Sequence, residues 1–212
     1  MELRLDGKTI IVHHRQWQTV SENGFCIWTI RWTEIDTQEQ AQVQRGQVLL
    51  FRPERDETAL LLKCWPEAGR REPTKDNMAF RILNRLREEM ISLAEGLNPA
   101  ARVLDLGCGD KPYYPYFHDH CAEFIGVDIQ TSLLVDSVYD GRINFSNEYF
   151  DLIICTQVLE HTRDPFELTS EMWRLLKSGG HAFVSVPFAW HYHPYPKDYW
   201  RFTSDGLEVL FE

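Results

Sequence analysis

The sequence has little that would place the chain in a membrane or an oxidising compartment. It contains no run of about 18 apolar residues, which argues against a membrane span. Its first residues show no apolar signal-peptide core. The cysteines are odd in number, scattered and without C-x-x-C spacing, at Cys26, Cys64, Cys108, Cys121 and Cys155. That pattern favours reduced thiols over a disulfide framework, and we therefore expect a cytoplasmic protein.

The chain also lacks an excess of basic residues. Its net charge is −10, and residues 75–212 carry 12 Lys and Arg against 21 Asp and Glu. Nucleic-acid binding normally requires a basic surface that neutralises phosphates. We therefore expect no nucleic-acid partner. Internal repeats and low-complexity tracts are absent, and 212 residues suit one domain with a small appendage.

Residues 1–72 are predicted to form a small β-rich region. Cys26–Trp32 alternates in the period-two pattern of a half-buried strand, and Leu3–Leu5 with Thr9–Val12 resembles a hairpin. Val48–Phe51 and Ala59–Trp65 are further candidates. Two interpretations stay open for this region. It packs on the rest of the chain or on a second copy in a homodimer, or it selects the substrate.

A second domain is predicted over residues 73–212, after a linker at Gly69–Pro73. Asp76 or Asn77 is the expected N-cap of a helix that ends near Glu95. The helix should bury one stripe, formed by Ala79, Ile82, Leu83, Leu86, Met90 and Leu93.

From Ala101 onward, apolar runs alternate with helical patterns, which predicts βαβ units and a parallel sheet. A short helix is expected after Pro112 and a longer one at Pro165–Leu176. The predicted strands are Arg102–Leu106, Phe124–Val127, Leu133–Val138, Phe150–Cys155 and His181–Val186.

Two of these strands carry the most informative residues. Val103–Leu106 contains Asp105 and runs into a glycine-rich turn, and the next strand ends at Asp128. The carboxyl ends of neighbouring parallel strands form the crevice in which such sheets bind ligands. Glycines let backbone approach a ligand closely, and a carboxylate can accept both ribose hydroxyls. The pattern therefore predicts a nucleoside site.

Asp105–Gly109 resembles motif I of the class I S-adenosylmethionine-dependent methyltransferases, type 11 family, and Gly126–Asp128 resembles motif II. The resemblance implies an α/β, Rossmann-like sheet in the order 3-2-1-4-5 and S-adenosylmethionine as cofactor. Lys111 stands where a third glycine is common. Pro112 occupies the last glycine position of the dinucleotide fingerprint, which argues against an NAD-dependent oxidoreductase.

The same resemblance implies a set of cofactor-binding residues. The turn would hold the methionine moiety, Asp105 its ammonium, Asp128 the ribose and the residues after the third strand the adenine. Alternatives remain: Asp105 caps nearby backbone, Asp128 is a solvated strand end, or Ile129 is ordinary core. The complete set is Asp105, Gly107, Cys108, Gly109, Asp128, Ile129, Asp140, Gly141, Thr156 and Gln157.

The loop at Pro187–Phe202, after the fifth strand, is rich in aromatic residues and histidine. His191 and His193 are candidate general bases for an acceptor hydroxyl, and His161 after the fourth strand is a third. In the alternative interpretation, the aromatic residues form a lid and His161 fixes its own loop. We expect no metal, because the His-x-His pair has no evident third ligand nearby.

Strands six and seven of the family do not follow in this sequence, so we expect a five-stranded, C-terminally incomplete sheet. The favoured hypothesis is a methyltransferase that acts on a small molecule or saccharide, at oxygen. The alternative is a non-catalytic module that binds the cofactor or scaffolds a partner.

Overall fold

The computed structural model describes the backbone of four strands within residues 1–43, and residues 65–132 and 134–212 with their side chains. Two compact units divide the chain, Met1–Ala68 and Gly69–Glu212. Each unit contains a sheet of its own.

The first unit contains an antiparallel sheet in the order β1-β2-β3-β4. Its strands are β1 Glu2–Leu5, β2 Lys8–Val20, β3 Phe25–Ile35 and β4 Gln42–Val43. Trp17 pairs with Trp28 across β2 and β3, and the register shifts between Val12 and His14. The predicted strand Val48–Phe51, residues 59–64 of the predicted strand Ala59–Trp65, and the turn between β1 and β2 lie outside the described residues.

The second unit contains a five-stranded sheet in the order β7-β6-β5-β8-β9, and every neighbouring pair is parallel. Its strands are β5 Arg102–Leu106, β6 Glu123–Asp128, β7 Ser137–Val138, β8 Phe150–Thr156 and β9 Leu176–Ser185. In sequence order this is the arrangement 3-2-1-4-5, so the predicted Rossmann-like fold is confirmed. After β5, successive strands are added on one side of the sheet, and from β8 onward they are added on the other side. Sheets of this kind bind ligands at the point between β5 and β8 where the strand order reverses.

Five helices accompany this sheet, together with a 3-10 turn at Leu159–His161. Asp164 caps α4 by accepting from the N–H groups of Phe166 and Glu167, and Thr203 caps α5. None of these helices, nor any other in the described part of the chain, is long and apolar enough to cross a membrane. The helices are α1 Ala68–Arg71, α2 Phe80–Glu95, α3 Tyr114–Phe117, α4 Pro165–Leu175 and α5 Ser204–Phe211.

Three predicted boundaries were wrong. The third strand of this sheet, predicted at Leu133–Val138, is the two-residue β7 Ser137–Val138. Helix α2 starts at Phe80, later than a cap at Asp76 or Asn77 implies, because the Asn77 side chain accepts from the Ala79 N–H in a turn before the helix. The last strand begins at Leu176, directly after α4, and not at His181. Residues 177–180 between these two positions are polar or glycine and show no strand pattern in the sequence. The pairing of β9 with β8 is irregular there, next to Phe150.

The central strands β5 and β8 are buried on both faces, as strands of parallel sheets normally are. On one face Val103, Leu152 and Ile154 pack with α2 and α3 through residues that include Met90 and Phe117. The opposite face carries Leu104, Leu106 and Ile153, which pack with α4 and α5. Ile82 of the predicted α2 stripe is exposed at the end of the helix that approaches the cavity described below.

Candidate functional site

A cavity of about 1340 Å³ lies at the carboxyl ends of the strands in the second unit. Ligand pockets usually measure roughly 300–1,000 Å³, so this one has room for a nucleoside ligand and a second molecule. Among its lining residues are Gly107, Gly109, Asp128, Ile129, Tyr139, Gln157, Val158, Glu160, His161, Trp190 and His193.

The turn after β5 forms part of the wall because Gly107 and Gly109 adopt positive φ angles of 71° and 49°. A Cβ on Gly107 would lie 2.3 Å from Cγ2 of Val158, so the valine closes off that side. At Gly109 a Cβ would meet nothing within 4 Å, because this residue faces open space. Only glycine combines this geometry with an uncovered backbone.

Asp128, the last residue of β6, lines the cavity beside that turn. Its Oδ2 accepts from the Gly109 N–H at 2.9 Å, and its Oδ1 accepts from the Gln130 N–H at 3.1 Å. A carboxylate offers about four acceptor positions, so each oxygen keeps one for a ligand. The two hydrogen bonds hold the side chain in place, which preorganises it for a pair of hydroxyl donors.

Asp105 lies in β5 and is not among the residues that line the cavity. Its carboxyl group is buried, and its Oδ2 has no hydrogen-bond partner within residues 65–132 and 134–212. Burial raises the pKa of this carboxyl to about 7, although the nearby Lys111 ammonium acts in the opposite direction. A cationic ligand at the strand ends would favour the ionised form of Asp105.

Lys111, the departure from the usual third glycine, has a structural explanation. Its buried ammonium forms an ion pair with Asp136, whose Oδ2 also accepts from the Gly126 N–H at 2.7 Å. A Cβ on Gly126 would lie 2.3 Å from Cε of Lys111, so glycine at this position makes room for the lysine. The sequence did not predict a role for Asp136. Its signal in the sequence was weak, an acidic residue just before a short strand.

Of the remaining predicted cofactor residues, two line the cavity and four do not. Gln157 lines it, in a positive-φ conformation at 57°, and the exposed side chain of Ile129 lines it as well. Cys108 and Thr156 are buried, whereas Asp140 and Gly141 are exposed; none of these four is among the lining residues. On that side Tyr139 lines the cavity instead.

Backbone hydrogen bonds join the 3-10 turn after β8 to the loop after β9. The Tyr199 N–H donates to the Glu160 carbonyl at 2.7 Å, and the Trp200 indole N–H donates to the Thr162 carbonyl at 2.8 Å. These contacts bring the His161 and His193 rings together, with centroids 4.8 Å apart. His191 is exposed, lies outside the lining and has its ring centroid 6.3 Å from that of His193.

His193 is held by Asp198, which lies 3.1 Å from its Nδ1 and also accepts from its backbone N–H. Arg201 donates to both carboxylate oxygens of Asp198. This guanidinium holds the pKa of the Asp198 carboxyl well below its usual range. The carboxylate therefore stays charged and orients the His193 ring.

Glu160 completes this end of the cavity. Its side chain is fully buried, and neither carboxylate oxygen has a hydrogen-bond partner among the described residues. Its Oε1 lies 3.8 Å from Nε2 of His161. Burial raises the pKa of the Glu160 carboxyl, and its own backbone N–H and the two nearby histidines act in the opposite direction. One ligand atom from each of Glu160, His161 and His193 lies within 4.8 Å of the others.

This fold, with a glycine turn and a strand-end acid on one cavity wall, is characteristic of the Rossmann-like methyltransferase class. A family model described as a methyltransferase domain matches residues 76–208. The chain therefore belongs to that family, and its resemblance to the class I S-adenosylmethionine-dependent methyltransferases is confirmed.

Individual relatives are distant. A ubiquinone biosynthesis O-methyltransferase of Acinetobacter baumannii is 26% identical in an alignment of 145 positions that covers 60% of this chain and 59% of that protein. The chain thus spans about three fifths of the length of such curated relatives.

Solved structures support the fold alone. A complex between the Haloferax volcanii Trm112 methyltransferase activator and a methyltransferase gives a TM-score of 0.50 at 16% identity, over 68% of this chain and 73% of the matched one. The cyclase SpnF gives a TM-score of 0.50 at 19% identity, over 66% and 59%. Since one neighbour is named as a cyclase, the fold does not by itself define the reaction.

Proposed function

We propose that the chain binds S-adenosylmethionine in the cavity and transfers its methyl group to an oxygen atom of a small-molecule or saccharide acceptor. The observation that carries the proposal is the placement of Asp128 beside the Gly107–Gly109 turn, on one wall of a cavity at the strand ends. Family membership supports the same ligand.

The cofactor would occupy the β5–β6 side of the cavity. Asp128 offers its free acceptor positions to the ribose hydroxyls, and the turn at Gly109 leaves the backbone uncovered for the methionine part. Ile129 and Tyr139 present apolar surface for the adenine ring. Asp105 lies buried nearby with an unpartnered oxygen, which suits an ammonium group held directly or through water. Roles for Cys108, Thr156, Asp140 and Gly141 stay predictions.

The acceptor would occupy the opposite side, between the 3-10 turn and the loop after β9. His161 and His193 line the cavity there, together with Trp190 and other aromatic side chains. Methyl transfer requires the acceptor oxygen in line with the methyl–sulfur bond, and a histidine that takes the hydroxyl proton assists it. When bound, S-adenosylmethionine supplies a methyl group already activated by sulfonium.

Two observations support oxygen as the methylated atom. A histidine side chain can act as the general base that takes the proton of a hydroxyl group. The curated relatives are named as O-methyltransferases of ubiquinone biosynthesis, which favours a phenolic acceptor, and aromatic side chains on the wall suit a planar ring. The same aromatic surface accepts the apolar face of a sugar, so a saccharide is the second candidate.

The test measures S-adenosylhomocysteine formation by the full chain with a panel of phenols and a panel of saccharides. We expect turnover with one panel and a loss of about 10²–10⁴-fold in kcat for His193→Gln, with cofactor affinity retained. His191→Gln is the matched control, since this exposed histidine lies off the cavity wall. Cofactor binding without turnover on either panel would favour the non-catalytic module instead.

A further inference from the structure

The cluster of Glu160, His161 and His193 lies at the acceptor end of the cavity. We propose that these three residues bind a divalent transition-metal cation, and that the ion holds the acceptor oxygen. The second part deepens the proposed function and rests on it, whereas the binding of the ion does not.

The donor set suits such an ion. Two imidazole nitrogens and one carboxylate oxygen form catalytic zinc sites and other open sites of the first-row metals, in which the remaining coordination positions are left for substrate or water. The three ligand atoms of Glu160, His161 and His193 lie within 4.8 Å of one another. Ligands about 2.1 Å from a metal lie roughly 3–3.5 Å apart, so each side chain needs to move inward by about 1 Å.

Both histidines are already oriented as metal ligands usually are. Nδ1 of His161 lies 2.9 Å from the Lys197 carbonyl oxygen. Nδ1 of His193 lies 3.1 Å from the Asp198 carboxylate and 3.1 Å from the His191 carbonyl oxygen. Metal-binding histidines nearly always donate the N–H of their other ring nitrogen to such a carbonyl or carboxylate. These anchors use Nδ1 in each ring and leave Nε2 for a ligand.

The carboxylate supplies an independent observation. The Glu160 side chain is fully buried, and neither of its oxygens has a hydrogen-bond partner among the described residues. A buried carboxylate without partners is costly, and proteins normally pair such groups or use them to coordinate metals. His161 approaches it only to 3.8 Å, beyond hydrogen-bond distance. A cation between the three side chains would satisfy the carboxylate.

A bound ion would also act on the acceptor. Its open coordination positions would face the cavity, where an acceptor hydroxyl could coordinate, become more acidic and lose its proton to solvent water. With the ion bound, His161 and His193 would serve as its ligands, so the ion, and not a free histidine, would activate the hydroxyl. The cluster therefore favours acceptors whose hydroxyl oxygen can bind a metal, such as a phenol with a neighbouring oxygen atom. A saccharide with adjacent hydroxyl groups has weaker ligands and is less favoured.

The direct test uses the full chain after treatment with a chelator, with Zn²⁺ as the probe and Mn²⁺ as a harder ion for comparison. Titration calorimetry should show one Zn²⁺ per chain, and thermal unfolding should shift upward as Zn²⁺ is added. Glu160→Gln and His193→Gln should each weaken Zn²⁺ binding by at least about tenfold. Asp198→Asn, which weakens the anchor of the His193 ring and also the ion pair with Arg201, should weaken it by about 10–100-fold.

His191→Gln is the matched control, because it removes a histidine from the same loop but from outside the cluster. The proposal is overturned if Zn²⁺ does not bind stoichiometrically, or if His191→Gln weakens binding as much as His193→Gln does. Glu160→Gln keeps the shape of the side chain and removes an uncompensated buried charge, so this variant should stay folded. Titration with S-adenosylhomocysteine in the absence of metal tests the proposed function separately.

Discussion

Replacing Asp105 with Asn should change how the stability of the protein depends on pH. The buried carboxyl has a pKa of about 7, compared with 3.8 for an ordinary aspartate. Between these two values the folded protein keeps a proton that the unfolded chain releases. Stability should therefore fall as the pH rises through this window, and Asn, which does not titrate, should remove this part of the dependence.

The magnitude follows from the size of the pKa shift. Each pKa unit corresponds to 1.36 kcal/mol, so the whole shift is worth roughly 4 kcal/mol once the pH exceeds 7. Part of this is already lost at pH 5. The difference in the free energy of unfolding between the original chain and Asp105→Asn should thus change by roughly 3 kcal/mol between pH 5 and pH 8, in favour of the variant.

Urea unfolding at a series of pH values measures this difference, and subtracting the two curves removes the contribution of all other groups. Asp76→Asn serves as the matched control, because Asp76 is exposed. If the two Asp→Asn variants show the same pH dependence, the Asp105 carboxyl does not stay protonated in the folded state between about pH 5 and pH 7. The raised pKa of Asp105 would then be wrong.

Three further substitutions test other parts of the site. Gly107→Ala should destabilise the fold by about 2–4 kcal/mol in urea unfolding, because it adds positive-φ strain and a clash with Val158. Lys111→Gly, which restores the family pattern, should nevertheless cost about 1–3 kcal/mol, because Asp136 loses its ion pair. In the original chain, the free energy of unfolding should fall below about pH 4 as Asp198 becomes protonated, and Asp198→Asn should make this fall less steep. An equally steep fall in the variant would contradict this.

Most of the second unit's architecture could be predicted from local patterns. The apolar runs of β5 and β8 are buried on both faces and therefore read as continuous hydrophobic segments, and the half-buried β6 is also largely apolar. Asp128 could be identified because neighbouring parallel strands end at the same edge of the sheet. An acid at the end of one strand therefore lies beside a glycine turn that follows the next. The start of β9 could not be identified, because only Leu176 pairs there, with Phe150, and the polar segment from Lys177 to Gly180 forms an irregularity before the regular pairing resumes at His181.

The acceptor end of the site was predictable only in part. His161 and His193 were recognised separately, but their contact depends on backbone hydrogen bonds between two loops, such as that from Tyr199 to the Glu160 carbonyl. No residue type is required at such bonds, so the sequence carries no signal for them. The same contact supplies Glu160 as a third candidate metal ligand, where the sequence alone had offered none beside His191 and His193.

The proposed function requires that Asp128 and the glycine turn bind an adenosyl ligand. Calorimetric titration of the full chain and of Asp128→Asn with S-adenosylhomocysteine tests it directly. We predict one saturable site in the original chain and an affinity lower by about 10–100-fold in the variant, as expected for lost hydrogen bonds to a charged group. Absence of saturable binding, or equal affinity in the two proteins, would contradict the proposed function.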